Sequence, residues 1–267
     1  MSSVPAIGDV AVPLRAAARE ELLARYAQVG HERKDDGSLL SEADLAMQQR
    51  LSRELAERWP QTRLLGEEMD PGEQQRLLDE SDRRPLWCLD PLDGTSNFVA
   101  GLPFFTTSLA LLVNREVVLG LVYDPLRDEL FSAERGGGAW VNDLSLGRRM
   151  PSGELAGGIG LVDFKRLPAD LSTRLVEAPP YSSQRSFGSV ALDWCWIAAG
   201  RAHVYLHGKQ RLWDYAAAWL VLTESGGHAL TLAGEPVFRP GTEARSVAAA
   251  LRGDLFETWC AWLGIRT

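Results

Sequence analysis

The chain of 267 residues is poor in the residues that build zinc sites and covalent nucleophiles. It has 3 cysteines, Cys88, Cys195 and Cys260, and 4 histidines, and neither set has the spacing of a zinc site. No Cys-x5-Arg segment and no Ser/His/Asp arrangement provides a nucleophile for covalent catalysis. An odd number of scattered cysteines without a signal peptide predicts reduced thiols packed in the core of a cytoplasmic protein.

Excess basic charge and long apolar runs are also absent. The net charge is -8 at pH 7, and no basic run is interleaved with aromatic residues, which argues against nucleic-acid binding. No apolar run reaches the roughly 18 residues that a membrane-spanning helix needs, so no membrane contact is expected. With 45% hydrophobic and 24% charged residues, the composition instead predicts an ordinary globular enzyme with a sizeable core.

The segment 90–98, DPLDGTSNF, is the centre of the predicted site. It follows an apolar run, which predicts a strand that carries Asp90 and Asp93 to its carboxyl end, where open α/β sheets place their sites. Pro91 donates no backbone hydrogen bond, so we expect the chain to leave the sheet there. The two carboxylates and the Leu92 carbonyl are oxygen ligands of the kind that hard cations prefer.

The second half of this segment suits a phosphate. Gly94 allows the backbone to approach an anion closely, and the amides of Thr95 and Ser96 can open a helical turn that receives one. A later helix beginning at Gly188-Ser189 suits either an anion at its amino end or structural capping by the serine. The sequence therefore predicts that metals and phosphate share the loop at 90–98.

Other acids have ordinary structural explanations when each is taken alone. Asp44 stands three residues after Ser41, which is the spacing of a capping box at the start of a helix. Asp214 heads a helix and suits a cap, while Glu67 follows Gly66 in what reads as a solvated turn. Spacing alone favours these structural roles.

Hydrophobic periodicity predicts helices and strands mixed throughout the chain, and hence a layered α/β fold. Gly136-Gly137-Gly138 lacks a following helix and a P-loop lysine, so it is predicted to be a turn. Helices are predicted at 14–29, 41–59, 189–199, 215–225 and 254–263, with Pro13 in the first turn of the first helix and Gly30 at its end, and a loop or short helix at 70–84. Strands are predicted at 86–89, 106–113, 116–123, 128–133, 139–142, 160–164, 202–206, 228–232 and 246–251, and 63–65 is a short apolar run that ends at Gly66.

Apart from Asp44, the acids fall in three motifs, which are GEE at 66–68, the segment 90–98 and WDYAA at 213–217. Taken together and in this order, the motifs resemble the inositol monophosphatase family of metal-dependent, lithium-sensitive sugar-phosphate phosphatases. The resemblance covers nearly the whole chain and implies an αβαβα sandwich, with α/β layers typical of sugar phosphatases. It also implies one catalytic unit over 1–267, with subdomains of about 1–150 and about 151–267, a homodimer, and a small phosphorylated sugar or polyol as substrate.

The resemblance implies roles for individual residues. It implies two Mg²⁺ ions, the first held by Glu67, Asp90 and the Leu92 carbonyl; a third, weak site is left open because Ser38 stands where the family often has Asp. Two metals about 3.5–4 Å apart can acidify a water and bind the leaving oxygen, which is what hydrolysis of a phosphate monoester requires. The implied set comprises Asp44, Thr95 and Glu67 for catalysis, Glu67, Asp90, Leu92, Asp93 and Asp214 for the metals, and Gly94, Thr95, Ser96, Gly188 and Ser189 for the substrate.

The identity of the substrate stays open. The segment before Trp213, HGKQRL at 207–212, lacks the glutamate that contacts sugar hydroxyls in several inositol-specific members of the family. Lys209 or Arg211 is either an exposed surface cation or a contact for a second anionic group. The alternatives are therefore a phosphatase of fructose-1,6-bisphosphate or adenosine 3',5'-bisphosphate of the same superfamily, or a regulatory binding protein that retains the fold.

Overall fold

A computed structural model describes residues 4–26, 28, 31–33 and 39–266, so the predictions for Gly30 and Ser38 lie outside the described residues. The helices are α1 Ile7–Ala17, α2 Glu42–Arg58, α3 Pro71–Asp79, α4 Thr95–Ala100, α5 Ala169–Glu177, α6 Val190–Ala198, α7 Leu212–Glu224 and α8 Gly253–Leu263. The strands are β1 His31–Arg33, β2 Leu39–Ser41, β3 Arg63–Gly66, β4 Leu86–Asp93, β5 Thr106–Val113, β6 Glu116–Asp124, β7 Glu129–Glu134, β8 Gly138–Val141, β9 Leu144–Ser145, β10 Ile159–Asp163, β11 Ser183–Arg185, β12 Val204–Gln210, β13 His228–Leu230 and β14 Arg245–Ala250.

Two larger sheets organise the fold. The first has 7 strands in the order β3-β4-β5-β6-β7-β8-β9, with β3 and β4 parallel and the rest an antiparallel meander. The second has 5 strands in the order β11-β10-β12-β14-β13, and β10 runs parallel to both neighbours. The predicted subdomain boundary near residue 150 falls between these sheets, and we retain that division as a proposal.

The helices cover both sheets and create five layers. Alternate residues of β4 point to opposite faces of the first sheet, and each face is covered by helices. Trp87 packs with α1 and α2 on one face, whereas Cys88 packs with α6 and α7 on the other. The helices α6 and α7 also pack against the inner face of the second sheet, and α5 and α8 cover its outer face. This αβαβα sandwich confirms the predicted fold class, and burial on both faces explains why β4 and β5 read as continuous apolar runs.

The first helix begins earlier than the sequence indicated. The predicted start at residue 14 is wrong, since α1 begins at Ile7 and contains Pro13 in its interior. The chain continues through a π-helical turn, Ala18–Leu22, and a 3₁₀ turn, Leu23–Arg25. Proline in a helix interior removes a backbone hydrogen bond. The helix nevertheless continues through Pro13, because the apolar residues before and after the proline are buried on one face of α1.

Pro91 does not end its strand. The expectation that the chain leaves the sheet there is wrong, because β4 runs on to Asp93. The neighbouring β3 pairs only as far as Leu89, and the register with β5 shifts between Asp90 and Asp93. Proline is tolerated at such an irregular, half-paired position, because its missing N–H breaks no regular ladder.

The other local predictions are largely confirmed. Ser41 caps α2, and its backbone and side chain both meet the Asp44 carboxylate, as in a capping box. The glycines at 136–138 form a turn, and the amides of Gly136 and Gly138 donate to the Glu224 carboxylate of α7. The cysteines at 88, 195 and 260 are buried and unpaired, as predicted.

None of the helices in the described part of the chain has the length and apolar character that crossing a bilayer requires.

A close contact between sheet and helix fixes α7. A Cβ added to Gly120 on β6 would lie 2.6 Å from the Ala217 carbonyl oxygen of α7, which is far inside van der Waals contact. The glycine therefore sets how closely α7 approaches the first sheet.

Gly120→Ala is expected to lower the free energy of unfolding by about 1–3 kcal/mol, because the added methyl group must push α7 away from β6. Alanine suits a strand no worse than glycine, so the loss reports packing rather than backbone preference. Gly157→Ala is the matched control, since nothing lies within 4 Å of its added Cβ, and a change within about 0.5 kcal/mol is expected. Urea denaturation followed by circular dichroism measures both; equal stabilities of the two variants would contradict the contact.

Candidate metal and phosphate site

Acidic side chains from separate elements meet beyond the carboxyl end of β4. Asp90 and Asp93 lie on β4, Glu67 follows β3, and Asp44 and Asp214 stand in the first turns of α2 and α7. The charges of the other four acids all raise the pKa of Asp90, so these carboxylates lie within Coulombic reach of one another. The structure thus brings together the acids that were predicted as a set.

Burial and mutual repulsion make these acids costly to ionise. Burial, followed by the charge of Glu67, raises the pKa values of Asp90 and Asp214 well above their ordinary range. Burial also raises the pKa of Asp44 to about 6, against hydrogen bonds from Ser41 that lower it. The pKa of Asp93 is likewise raised to about 6, chiefly by burial.

Asp44 links α2 to the loop that follows β4. Its Oδ2 accepts hydrogen bonds from the Ser41 amide at 2.8 Å and the Ser41 hydroxyl at 2.5 Å. Its other oxygen, Oδ1, accepts from the Thr95 hydroxyl at 3.0 Å, and that hydroxyl also lies 3.1 Å from the Leu92 carbonyl oxygen. The capping explanation of Asp44 and its predicted partnership with Thr95 therefore coexist, because they use different oxygens.

The carboxylate of Asp93 occupies the amino end of α6. Its Oδ2 accepts from the Ser189 hydroxyl at 2.6 Å and the Ala191 amide at 2.7 Å, and its Oδ1 accepts from the Val190 amide at 3.1 Å. The sequence predicted either an anion or a serine cap at this helix start. Both are present, since Ser189 caps α6 and the anion held there is the protein's own carboxylate.

The remaining ligand candidates are held by backbone groups. Asp90 Oδ1 accepts from the Leu92 amide at 3.0 Å, and Asp214 Oδ2 accepts from the Arg211 amide at 2.7 Å. The buried Gln74 of α3 donates to the Glu67 carbonyl at 3.1 Å and so fixes the turn that carries this acid. Each of these hydrogen bonds offsets only part of the cost of ionising a buried acid.

The donor set fits divalent cations of the hard type. In the described residues no Lys or Arg ion pair involves Asp44, Asp90, Asp93 or Asp214. Over the same ranges, no group of three or more His, Cys, Asp and Glu side chains is already arranged to hold a metal ion. Carboxylates with raised pKa values and no cationic partner are nonetheless the ligands that Mg²⁺ takes, often with water and few protein atoms.

The residues predicted to contact the substrate differ in how exposed they are. Gly94 has a φ of 97°, which favours glycine, and an added Cβ there would lie 3.0 Å from the Phe104 carbonyl oxygen. Thr95 and Ser96 begin α4, with Ser96 exposed. Gly188 is exposed and packs beside Asn97, while Ser189 is fully buried against Asp93.

Sequence reasoning did not single out two further polar groups near the cluster. Asp193 is buried in α6, and its Oδ1 has no hydrogen-bond partner in the described part of the chain. Burial, then the charge of Asp93, raises its pKa well above the ordinary range. His207 and Asp163 form a second group at the strand ends of the second sheet. An acid inside the apolar run at 190–198 was the available signal for the first; nothing in the spacing marked the second.

The layers and the acid cluster define a phosphatase-type αβαβα sandwich. The profile described as the inositol monophosphatase family matches residues 6–262. The chain therefore belongs to the inositol monophosphatase family.

Individual relatives carry different names. The chain is 34% identical over 211 residues to the Nus factor SuhB of Pasteurella multocida, covering 74% of this chain and 76% of that protein. It is 36% identical over 200 residues to an inositol-1-monophosphatase of Rhizobium meliloti, covering 73% and 72% of the two chains. The crystal structure of the extragenic suppressor protein suhB from Bartonella henselae is similar, with a TM-score of 0.82, 29% identity, and coverage of 97% and 98%.

Repulsion among the acids should make the metal-free protein less stable as pH rises. A carboxyl with a pKa near 6 when folded and near 4 when unfolded binds more protons in the folded state between these values. The free energy of unfolding contributed by such groups is therefore largest below about pH 4 and falls as pH rises through 6. For Asp90 and Asp214, with pKa values raised further, the decline continues to higher pH.

Asp90→Asn is expected to raise the melting temperature of the chelator-treated protein at pH 8 and to reduce its dependence on pH. The amide retains an oxygen for the Leu92 N–H but removes the repelling charge. Asp79→Asn, at an exposed position of α3, is the control and should leave the pH dependence unchanged. Thermal denaturation in EDTA between pH 4.5 and 8 tests this, and an Asp90→Asn protein less stable than wild type at pH 8 would refute it.

Proposed function

We propose that this protein is a magnesium-dependent phosphatase that hydrolyses monoesters of small phosphorylated sugars or polyols, inositol monophosphate among them. The observation that carries the proposal is the convergence of Asp44, Glu67, Asp90, Asp93 and Asp214 beside the Gly94 turn. The name of the Rhizobium meliloti relative supports the same activity. A homodimeric cytoplasmic enzyme with no nucleic-acid ligand belongs to the same proposal.

The ligand assignment follows the available oxygens. Glu67, Asp90 and the Leu92 carbonyl would hold one Mg²⁺, and Asp90, Asp93 and Asp214 a second. When bound, such ions supply positive charge that acidifies a water and stabilises the leaving oxygen. Asp93 still has lone pairs on Oδ1, which accepts a single hydrogen bond, so the contact with α6 leaves room for a ligand role.

Asp44 and Thr95 would provide the proton transfer. The Thr95 hydroxyl donates to Asp44 Oδ1, so it is oriented with a lone pair free to accept a hydrogen bond from the attacking water. The raised pKa of Asp44, about 6, suits a group that takes up a proton near neutral pH. Gly94, Thr95 and Ser96 would meet the phosphate itself, with Gly188 and Ser189 shaping the neighbouring wall.

Phosphate release from a panel of substrates tests the activity. The panel contains inositol 1-phosphate, fructose 1-phosphate, fructose 1,6-bisphosphate and adenosine 3',5'-bisphosphate, each assayed with magnesium and with EDTA. Magnesium-dependent release from at least one of them is expected. Release from none would reject the proposal, and a preference for a bisphosphate would favour the alternative substrate class.

Asp90→Asn is expected to lower kcat by at least about 100-fold and to abolish the magnesium-induced rise in melting temperature, because Asp90 would contact both metals. It is a cleaner test than Asp93→Asn, since in that variant the new side-chain amide would face the N–H groups of α6. Asp143→Asn in the exposed β8–β9 turn serves as the control and should keep wild-type kcat. If the Asp90→Asn protein retained its turnover, the assignment of Asp90 as a metal ligand would be wrong.

Thr95→Ser and Thr95→Ala separate the hydroxyl from the rest of the side chain. The serine variant keeps the donor to Asp44 and should retain kcat within about tenfold, whereas the alanine variant should lose about 100-fold or more. Steady-state kinetics on the best substrate of the panel measures both. Equal kcat values for the two variants would show that the hydroxyl takes no part in the reaction.

A second candidate function comes from the relative called Nus factor SuhB, whose name supports a regulatory binding protein that retains the fold. The same Asp90→Asn variant separates the two functions. If a cellular phenotype of gene deletion is rescued by the inactive variant as well as by wild type, the phenotype depends on binding rather than on catalysis. Rescue by wild type alone assigns the phenotype to phosphate release.

A further inference from the structure

The strands β10 and β12 bring an acid and a histidine together at the carboxyl end of β10. The strands are parallel neighbours, and Asp163 is the register partner of His207. The Nε2 atom of His207 lies 3.0 Å from Asp163 Oδ2, and the histidine is only 3% exposed. The β12 strand then leads directly into α7, which carries Asp214.

His207 positions its neighbour and takes no part in proton exchange with a ligand. Its Nδ1 accepts a hydrogen bond from the Lys209 amide at 3.3 Å, so Nε2 carries the proton and donates it to Asp163. Both ring nitrogens are therefore engaged within the protein. The histidine orients the Asp163 carboxylate in the way that an outer partner orients a metal ligand.

Asp163 in turn holds the 3₁₀ turn Phe164–Arg166. Its Oδ1 accepts from the Lys165 amide at 3.0 Å, and its Oδ2 lies 3.5 Å from Arg166 Nε. The turn rests directly on β12, because a Cβ added to Gly208 would lie 1.7 Å from the Arg166 carbonyl oxygen. Any larger residue at 208 would force Arg166 away from the end of β12.

The terminal nitrogens of Arg166 form no ion pair within the described residues, and Arg166 follows β10, the parallel neighbour of the strand that leads to Asp214. Its side chain is 48% exposed, and its only ion pair in the described ranges is through Nε to Asp163. The positive charge of Arg166 lowers the pKa of Asp214, against burial and Glu67, which raise it, so the guanidinium lies within Coulombic reach of that acid. Arg211, a candidate from the sequence, is engaged instead by the Thr242 carbonyl oxygen at 2.6 Å.

We infer that Arg166 is a specificity-determining residue that binds a second phosphate group on the alcohol part of the substrate. The inference rests on the proposed function, which places the scissile phosphate at Thr95; the leaving alcohol would then extend past Asp214 towards the end of β10. A guanidinium oriented by a carboxylate and exposed at its far end is suited to a phosphate dianion. The substrate class is then a sugar or polyol bisphosphate.

Arg166→Gln tests the inference with fructose 1,6-bisphosphate and fructose 1-phosphate as probes. The KM for the bisphosphate is expected to rise about tenfold or more, because a charge-assisted contact is lost. The KM for the monophosphate should change less than about twofold, because that substrate has no second phosphate for Arg166 to contact. Arg166→Lys, which keeps a point charge, should recover part of the affinity for the bisphosphate.

Arg83→Gln is the matched control. Arg83 lines a surface cavity of about 350 Å³ together with Arg63, Arg76, Glu80 and Arg84. Removing its charge changes the net charge of the protein equally but should leave both KM values unchanged. This control separates a specific contact from a general effect of net charge.

Calorimetric binding of the two probes to the same proteins, in magnesium, gives a readout that does not depend on turnover. A wild-type protein that prefers the bisphosphate, together with an Arg166→Gln protein that has lost the preference, supports the inference. A wild type without that preference, or a variant that keeps it, overturns the inference. Absence of phosphate release with the binding preference intact would instead reject the phosphatase proposal and leave the Arg166 site standing.

Discussion

The concentration of negative charge at the end of β4 is the constraint on which the rest of the structure depends. Asp44, Asp90, Asp93 and Asp214 are held where burial raises their pKa values, and the charge of Glu67 adds to the repulsion among them. The protein maintains this arrangement with backbone amides and hydroxyls, notably those of Ser41 and Ser189. The site is therefore kept at a cost in stability, a pattern common where activity requires unfavourable charge.

The order of the layers follows from this need. The acids come from β4 and from the first turns of helices on either face, so both faces of the first sheet have to be covered. The inner helices α6 and α7 serve two sheets at once. As a result, the amino end of α6 orients Asp93, while the second sheet on the other side of α6 carries Asp163 and His207.

Most of the fold could be predicted from apolar periodicity, because the central strands of both sheets are buried and are bounded by glycine and polar turns. The errors have local physical causes: α1 extends past Pro13 because its buried stripe does, and β4 passes Pro91 because its partner strand has already ended. The acid set was predictable from motif order, whereas spacing alone favoured capping for Asp44. The Asp163–His207 pair was not predictable, since it depends on the register of two strands that are far apart in the sequence.

The contact between Gly120 and Ala217 has a consequence for how the protein can diversify. Small residues at 216–218 allow α7 to lie against the first sheet, and Asp214 is on the same helix one turn earlier. A bulkier side chain at 120 would push α7, and Asp214 with it, away from β6. The separation between Asp214 and Asp90 thus depends on a backbone packing distance, and substitutions at the ends of β10 and β12, which lie outside this contact, can change the surface there without altering it.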